Sequence, residues 1–212
     1  MKKEIWLIRH GESEANAGFK SSNPETVSLT QKGHEQAKKV SEAIPEVPDQ
    51  IIYSPFIRTQ ETAKPTIEHF PSVKVGEWPI HEFTYLSPAS CKDTTASQRR
   101  PMAEKYWKRN DPTYIHGEGA ESFADLLVRT ENAFQRMKEV EDQFVLVFGH
   151  GQFMRTFLLS LLLNSFTPTP KLMRKLYLFN EVFKIPNCGI IKLRFDDQQP
   201  FISGLITDHL KN

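Results

Sequence analysis

The chain has 212 residues, of which 39% are hydrophobic and 25% are charged, and this composition is typical of an ordinary soluble globular protein. Its formal net charge of +1 excludes a general basic surface for nucleic acid or an acidic membrane, so any anion must be bound by a local cluster. The length favours one domain, residues 1–212, over two.

The first half of the chain predicts two strands and two helices in alternation. The apolar run Ile5–Ile8 and the run Gln50–Tyr53 are both typical of buried strands. Between them, apolar residues recur at helical spacing from Thr30 to Ile44. A second helix is predicted to open at Ser54, with Ser54 as its N-cap and Pro55 at the first helical position.

The segment from about residue 76 to residue 121 differs from its surroundings. It is rich in Pro, Thr, Ser, Arg and Lys, and its pattern predicts only one helix, near Thr95–Arg109. We therefore interpret residues 76–121 as a small cap insertion over one end of the sheet, where substrate specificity would be built.

In the second half of the chain, predicted helices and strands alternate again. A helix is predicted from Ser122 to about Val140, with Ser122 as its cap and Asp125 in capping-box spacing. The clearest predicted strand is Phe144–Phe148, and the most apolar predicted helix, Phe153–Leu163, follows it. The last predicted strand, Ile190–Phe195, alternates weakly and suits the outside of the sheet. Such alternation predicts an α/β fold, a mostly parallel sheet flanked by helices on both faces.

The sequence shows no motif typical of a targeting signal or a metal site. The apolar run before Arg9 is too short for the core of a signal peptide, and Phe157–Leu163 is far below the roughly 20 residues of a bilayer span. Cys91 and Cys188 show no metal-ligand spacing and suit two reduced thiols, with one long-range disulfide as the alternative. We therefore expect a cytoplasmic protein without a membrane or nucleic-acid partner. No helix shows a heptad seam, so the oligomeric state stays open.

Cationic side chains follow three of the predicted strands. Arg9 and His10 follow the first, Arg58 follows the second, and His150 follows the third with a glycine on either side. Because the carboxyl ends of parallel strands share one edge, these side chains are expected to converge. Such a cluster is costly unless an anion fills it, and the arginine fork matches the oxygens of a phosphoryl group.

Phosphoryl transfer would use these groups as follows. A neutral imidazole can attack phosphorus and form a phosphohistidine, while the arginines and the second histidine hold the phosphoryl oxygens. No metal and no cofactor are required, because the arginines neutralise the charge. A carboxylic acid would protonate the leaving alkoxide and then, as a carboxylate, activate the hydrolytic water.

Several motifs, in order, resemble those of the histidine phosphatase superfamily, whose members include cofactor-dependent phosphoglycerate mutases and fructose-2,6-bisphosphatases. They are LIRHGESEAN, LTQKGHEQA, SPFIRTQETA, GAES and VFGHG, which begin at Leu7, Leu29, Ser54, Gly119 and Val147. The resemblance implies a phosphoglycerate-mutase-like fold and no metal. It implies His10 as nucleophile and a phosphate pocket formed by Arg9, Asn16, Arg58, His150 and Gly151.

The same resemblance implies that Glu82, in the segment IHEF, is the general acid and base. Here Glu82 is followed by FTYLSP, whereas the mutases carry a glycine-rich segment with Trp-Glu-Gly. Glu77, Glu118 and Glu121 are therefore kept as weaker candidates for the acid. His150 is followed by glycine rather than aspartate, which is unlike the acid-phosphatase and phytase branch.

Other polar residues have simpler interpretations. Arg99 and Arg100 resemble the paired arginines that hold the substrate carboxylate in mutases, but a solvated helix face is the simpler interpretation. His116 lies in the insertion and is a minor candidate for substrate contact. Asn187 is predicted to be a turn residue and Cys188 a core thiol.

The sequence thus predicts a metal-independent phosphomonoesterase acting on a small phosphorylated metabolite through His10 and Glu82. A phosphoglycerate-type phosphomutase is the first alternative, although the short cap disfavours it. A non-catalytic phosphate-binding domain is the second. The identity of the substrate depends on the cap, where the resemblance is weakest.

Overall fold

A six-stranded sheet forms the centre of the computed structural model, which describes residues 3–196 and 199–211. The order of the strands across the sheet is β3-β2-β4-β1-β5-β6. The first four in this order are parallel, whereas β5 and β6 are antiparallel to their neighbours. The strands are β1 (Lys3–Arg9), β2 (Gln50–Tyr53), β3 (Lys74–Glu77), β4 (Phe144–Gly149), β5 (Ile190–Asp196) and β6 (Gln199–Ile202).

Seven α-helices and one short 3₁₀ helix, Asp208–Leu210, surround this sheet in the described ranges. The helices are α1 (Gln31–Glu42), α2 (Ile57–His69), α3 (Pro88–Cys91), α4 (Ala96–Arg109), α5 (Phe123–Glu139), α6 (Gly151–Leu163) and α7 (Pro170–Val182). Within residues 3–196 and 199–211, none of them has the length and apolar character needed to span a bilayer. The predicted α/β fold with a mostly parallel sheet is confirmed.

The central strand β1 is buried on both faces, and its side chains alternate between two hydrophobic cores. Ile5 and Leu7 pack with residues of α5, α6 and α7 on one face. Trp6 and Ile8 pack with residues of α1 and α2 on the other face. Each fully buried aliphatic side chain contributes about 1.5–3 kcal/mol, so the two cores fix the position of β1 in the sheet. The loop after β1 is thereby held at the carboxyl edge.

The prediction for the start of α2 was wrong. The helix begins at Ile57, its N-cap is Phe56, and Ser54 does not cap it. The hydroxyl of Ser54 instead lies 2.6 Å from Nε2 of His150, far along the chain. A serine followed by proline suits a helix cap locally, but this long-range contact determines where Ser54 lies. The cap of α5, by contrast, is as predicted, with both capping-box bonds of Ser122 and Asp125 present.

The prediction that Ile190–Phe195 is an outer strand was also wrong, because β5 pairs with both β1 and β6, and β6 lies at the edge. The strand β3 and the helix α7 were not predicted. Gly76 and Glu77, the first residues of the segment that we interpret as a cap, belong to β3. This segment contains α3 and α4 and supplies a wall of the cavity described below.

Candidate active site

The predicted site residues converge at the carboxyl edge of the sheet because the strand register places their strands' ends side by side. Arg9 at the end of β1 pairs with Gly149 at the end of β4, and Tyr53 at the end of β2 pairs with Phe148. The residues that follow these ends are therefore neighbours. Arg58 reaches the same edge from the first turn of α2.

The loop after β1 contacts the start of α1 through two glycines. A Cβ on Gly11 would lie 2.6 Å from the carbonyl oxygen of Gly33, and a Cβ on Gly33 would overlap the carbonyl oxygen of Glu12. Glycine is required at both positions because the two backbones pack directly on each other. The N–H of Gly11 also donates to Oγ1 of Thr62 at 3.0 Å, which ties the same loop to α2.

His10 is buried and held in one orientation. Its Nδ1 lies 2.7 Å from the carbonyl oxygen of Gly11, and its Nε2 lies 3.3 Å from Nε of Arg58. Because a carbonyl only accepts and a guanidinium only donates, these contacts assign the proton to Nδ1 and the lone pair to Nε2. Burial, with the charges of Arg58 and Arg9, holds the pKa of His10 well below its usual value, so the imidazole is neutral.

The guanidinium groups of Arg9 and Arg58 both lie close enough to His10 to lower its pKa. Arg58 donates through Nη1 to the carbonyl oxygen of Pro24 at 2.5 Å, and Arg9 donates through Nη1 to that of Ile185 at 2.6 Å. Burial lowers the pKa of Arg58 to about 10 and also lowers that of Arg9. Within the described ranges, neither guanidinium forms an ion pair with a carboxylate. The Nε of Arg9 is buried without a hydrogen-bond partner.

His150 is fully buried beside His10, with their ring centroids 5.2 Å apart. Its Nε2 contacts the hydroxyl of Ser54, which already accepts the N–H of Phe56 at 3.2 Å. The Nδ1 of His150 has no hydrogen-bond partner. Burial, followed by the charge of Arg58, holds the pKa of His150 well below its usual value.

The carboxylate of Glu82 lies at the N-terminus of α6. Its Oε1 accepts the backbone N–H groups of Phe83, Gln152 and Phe153 at 3.1, 2.9 and 3.1 Å. Its Oε2 accepts only from Gln152, at the longer distance of 3.2 Å. The free N–H groups at a helix start attract a negative charge, so the helix fixes this carboxylate in place. The same carboxylate favours the charged forms of Arg9 and Arg58.

A cavity of about 300 Å³ opens over these groups. Five of the seven predicted site residues line it: Arg9, His10, Asn16, Arg58 and Glu82. His150 packs beside His10 and does not itself line the cavity. Gly151 begins α6, where a Cβ would lie 3.2 Å from Nε of Arg9 and 3.4 Å from Nη1 of Arg155. Gly151 therefore gives two guanidinium groups room at the helix start.

The other candidate carboxylates lie elsewhere. Glu121 forms a two-pronged ion pair with Arg129, through Nε to Oε1 and through Nη2 to Oε2, and this pair is largely buried. Glu77 and Glu118 are exposed and do not line the cavity. Of the four carboxylates considered, only Glu82 faces the cavity that contains His10.

The cap places its two consecutive arginines differently. Arg99 lines the cavity and donates through Nη1 to Oγ of Ser21 at 3.1 Å. Arg100 is exposed and pairs with Glu104 at 2.9 Å on the outer face of α4. His116 does not line the cavity, and its Nδ1 accepts the N–H of Ser87 at 3.4 Å.

Three polar residues that contact the site were not recognised in the sequence. Ser54 contacts His150, Arg155 lies beside Gly151 and donates to Oδ1 of Asn180 at 2.6 Å, and Asn187 contacts the loop after β1. The motif SPFIRTQETA contains Ser54, so that residue had a signal. No sequence motif indicated Asn187 or Arg155, because the residues to which they donate hydrogen bonds are distant in sequence.

Metal-ligand side chains do not cluster in the described ranges. No group of three or more His, Cys, Asp or Glu side chains in residues 3–196 and 199–211 is arranged to hold a metal ion. The guanidinium groups that line the cavity are those of Arg9, Arg58 and Arg99.

Comparison with known proteins identifies the relatives of this chain. Residues 5–207 match the histidine phosphatase superfamily (branch 1). Over 155 residues the chain is 26% identical to a fructose-2,6-bisphosphatase of Saccharomyces cerevisiae, a match covering 72% of the chain and 33% of the yeast protein. Over 158 residues it is 29% identical to an adenosylcobalamin/alpha-ribazole phosphatase of Salmonella typhimurium, covering 69% of the chain and 73% of that protein. The chain thus spans about a third of the length of the yeast relative.

Solved structures show the same fold. A putative alpha-ribazole-5′-P phosphatase from Escherichia coli superposes with a TM-score of 0.74 at 21% identity, covering 97% of this chain and 96% of that one. A phosphoserine phosphatase from Entamoeba histolytica superposes with a TM-score of 0.73 at 23% identity, covering 99% and 100%. At these identities the likeness establishes the architecture only.

Proposed function

The chain belongs to branch 1 of the histidine phosphatase superfamily, and we propose that it is a metal-independent phosphomonoesterase that hydrolyses a small phosphorylated metabolite through a phosphohistidine at His10. One observation carries this proposal. The neutral His10 directs the lone pair of Nε2 at Nε of Arg58, and Arg9 and Glu82 line the same cavity. The named relatives are phosphatases, which supports a phosphoric monoester hydrolase.

The first half of the reaction transfers the phosphoryl group to the enzyme. The lone pair on Nε2 of His10 forms a bond to phosphorus, and the bond from phosphorus to the ester oxygen breaks. Nε of Arg58, which contacts Nε2 before substrate binds, then donates to a phosphoryl oxygen. Nε of Arg9, a residue that lines the cavity, is buried without a partner and is a further donor for these oxygens. His150 packs beside His10, and its Nδ1 would donate to the same oxygens when this nitrogen carries the proton.

Glu82 moves the protons in both halves of the reaction. Because Oε1 accepts three backbone N–H groups and Oε2 only one, Oε2 is the oxygen that we assign to carry the proton. It protonates the departing ester oxygen, which leaves as an alcohol. In the second half, the carboxylate takes a proton from water, whose oxygen attacks phosphorus. The bond from phosphorus to Nε2 breaks, and phosphate is released.

Asn16 and Gly151 complete the proposed phosphate pocket. Oδ1 of Asn16 already accepts the N–H of Ser13 at 3.3 Å, so its amide nitrogen is the group left to donate to a phosphoryl oxygen. The start of α6 at Gly151 adds the positive end of a helix dipole on the same side.

The nucleophile is tested by replacing His10 with alanine. We expect His10→Ala to lower kcat/KM for 4-nitrophenyl phosphate by at least about 10³-fold, because the lone pair that attacks phosphorus is lost. Turnover by the wild-type enzyme should persist with EDTA present. The matched control is His34→Ala, since His34 is an exposed histidine on α1.

Other outcomes of this assay would redirect the assignment. Loss of wild-type turnover in EDTA would contradict a metal-independent reaction. No phosphate release from any phosphorylated metabolite in a panel would favour the phosphomutase or the binding-only alternative. A phosphohistidine trapped at His10 would then separate those two.

The general acid is tested with Glu82→Gln, which keeps the shape of the side chain but cannot transfer a proton. We expect kcat/KM for alkyl phosphates to fall by about 10²–10⁴-fold. The value for 4-nitrophenyl phosphate should change much less, because nitrophenolate leaves without a proton. Glu118→Gln, at an exposed carboxylate that was also a candidate, serves as control. Equal losses for both kinds of ester in Glu82→Gln would argue against this role.

The two arginines of the cap are replaced one at a time, and their effects are compared. If Arg99 binds a second anionic group of the substrate, Arg99→Ala should raise KM by about 10–100-fold for substrates that carry such a group, because a hydrogen bond to a charged group is lost. KM for 4-nitrophenyl phosphate should hardly change. Arg100→Ala removes the neighbouring, outward-facing arginine and should leave both values unaltered. Unchanged kinetics of Arg99→Ala across a panel of doubly anionic substrates would exclude this contact.

A further inference from the structure

Asn187 makes an unusual set of contacts for a turn residue. It lies between α7 and β5, and its Nδ2 is 3.0 Å from each of three oxygens: the carbonyl oxygens of His10 and Gly11 and Oδ1 of Asn16. A primary amide has two N–H groups, so the three acceptors share two protons. All three acceptors belong to the loop that carries the proposed nucleophile.

The first consequence concerns the proton of His10. The carbonyl oxygen of Gly11 accepts from Nδ1 of His10 and from Nδ2 of Asn187. Asn187 therefore holds the acceptor that keeps the imidazole proton on Nδ1, in the way that outer groups fix the tautomer of functional histidines. With the proton on Nδ1, the lone pair stays on Nε2, where it faces Arg58.

The second consequence concerns Asn16. Its Oδ1 accepts from Nδ2 of Asn187 at 3.0 Å and from the backbone N–H of Ser13 at 3.3 Å. Two donors on this oxygen oppose a flip of the amide, because the flipped amide would set its NH₂ group against them. Asn16 lines the cavity, so its own NH₂ group stays available there.

The turn that carries Asn187 is itself held from two sides. Cys188 adopts a left-handed conformation with φ 58°, and its N–H donates to the carbonyl oxygens of Arg9 and His10 at 3.0 and 3.3 Å. The carbonyl oxygen of Cys188 accepts from Nε2 of His209, in the 3₁₀ helix, at 2.9 Å. A left-handed non-glycine residue persists when its surroundings determine it, as these contacts do.

We propose that Asn187 is a positioning residue, whose amide sets the tautomer of the nucleophile His10 and the orientation of the phosphate donor Asn16 at the same time. Asn187 does not touch the reacting atoms. The inference rests on the proposed function, since it assigns His10 and Asn16 their roles in phosphoryl transfer. It adds a requirement that comes from the far end of the chain, 177 positions from His10.

The tautomer is measured directly by ¹⁵N NMR of the His10 ring in the wild-type protein and in two variants. Asn187→Asp keeps the shape but cannot donate, and Asn187→Ala removes the group without adding charge. We expect the wild type to hold the proton on Nδ1 and both variants to show a mixture of tautomers. Asn132→Asp, the same change on the exposed side of α5, is the control and should match the wild type.

The kinetic arm measures kcat/KM for 4-nitrophenyl phosphate and the rate of phosphohistidine formation in the same proteins, with urea unfolding to establish that each is folded. Loss of a group that orients a functional ligand typically lowers activity by about 10–100-fold, and we expect both quantities to fall by that factor in the two Asn187 variants. Unchanged values in the folded variants would overturn the proposal.

The wild-type tautomer can overturn the proposal even if both variants fail to fold. A proton on Nε2 of wild-type His10 would overturn the inference whether or not the enzyme turns over. Conversely, if the wild type forms no phosphohistidine while the Asn187 variants lose the Nδ1 tautomer, the proposed function fails and the positional role of Asn187 stands.

Discussion

Positive charge buried at the carboxyl edge of the sheet is the constraint on which the site depends. Arg9 and Arg58 lie there with lowered pKa values, and the carboxylate of Glu82 favours their charged forms without forming an ion pair with either. Such an arrangement is costly unless an anion offsets it. Burial, followed by the charge of Arg58, lowers the pKa values of His10 and His150, so the site both attracts a phosphoryl group and leaves a lone pair on His10 to attack it.

Strands, helices and backbone contacts hold the residues of the site in place. The hydrophobic cores on the two faces of β1 fix its end, and the contact between Gly11 and Gly33 fixes the loop that follows. The start of α6 holds Glu82 by backbone N–H groups. The turn at Asn187 contacts the same loop from the last third of the chain. Preorganised donors of this kind require little reorganisation during a reaction, which is the main source of electrostatic catalysis.

The sequence predicted those parts that depend on local pattern. Apolar runs located β1, β2 and β4, and the motifs that follow these strands placed His10, Arg58 and His150 at one edge, where the structure brings them together. The strand β3, with the sequence KVGE, escaped prediction because a short exposed edge strand has almost no apolar signal.

Long-range contacts account for the remaining errors. Ser54 was interpreted as a helix cap because its local sequence suits one, whereas its partner His150 lies 96 positions away. Asn187 is a residue type that is common in turns, and nothing in the sequence around it indicates that it contacts the loop of His10. Arg99 and Arg100 are adjacent in sequence, yet the direction of α4 turns one toward the cavity and the other toward solvent.

The phosphoenzyme at His10 is tested most directly by the stereochemistry at phosphorus. An ester whose phosphoryl group is chiral through three oxygen isotopes would be turned over by transfer to an acceptor alcohol, and the configuration of the product would be determined. Each in-line displacement inverts phosphorus, so two successive displacements through a phosphohistidine give overall retention, and we expect retention. Inversion would mean a single direct attack on the ester and would contradict the phosphohistidine on which the proposed function rests.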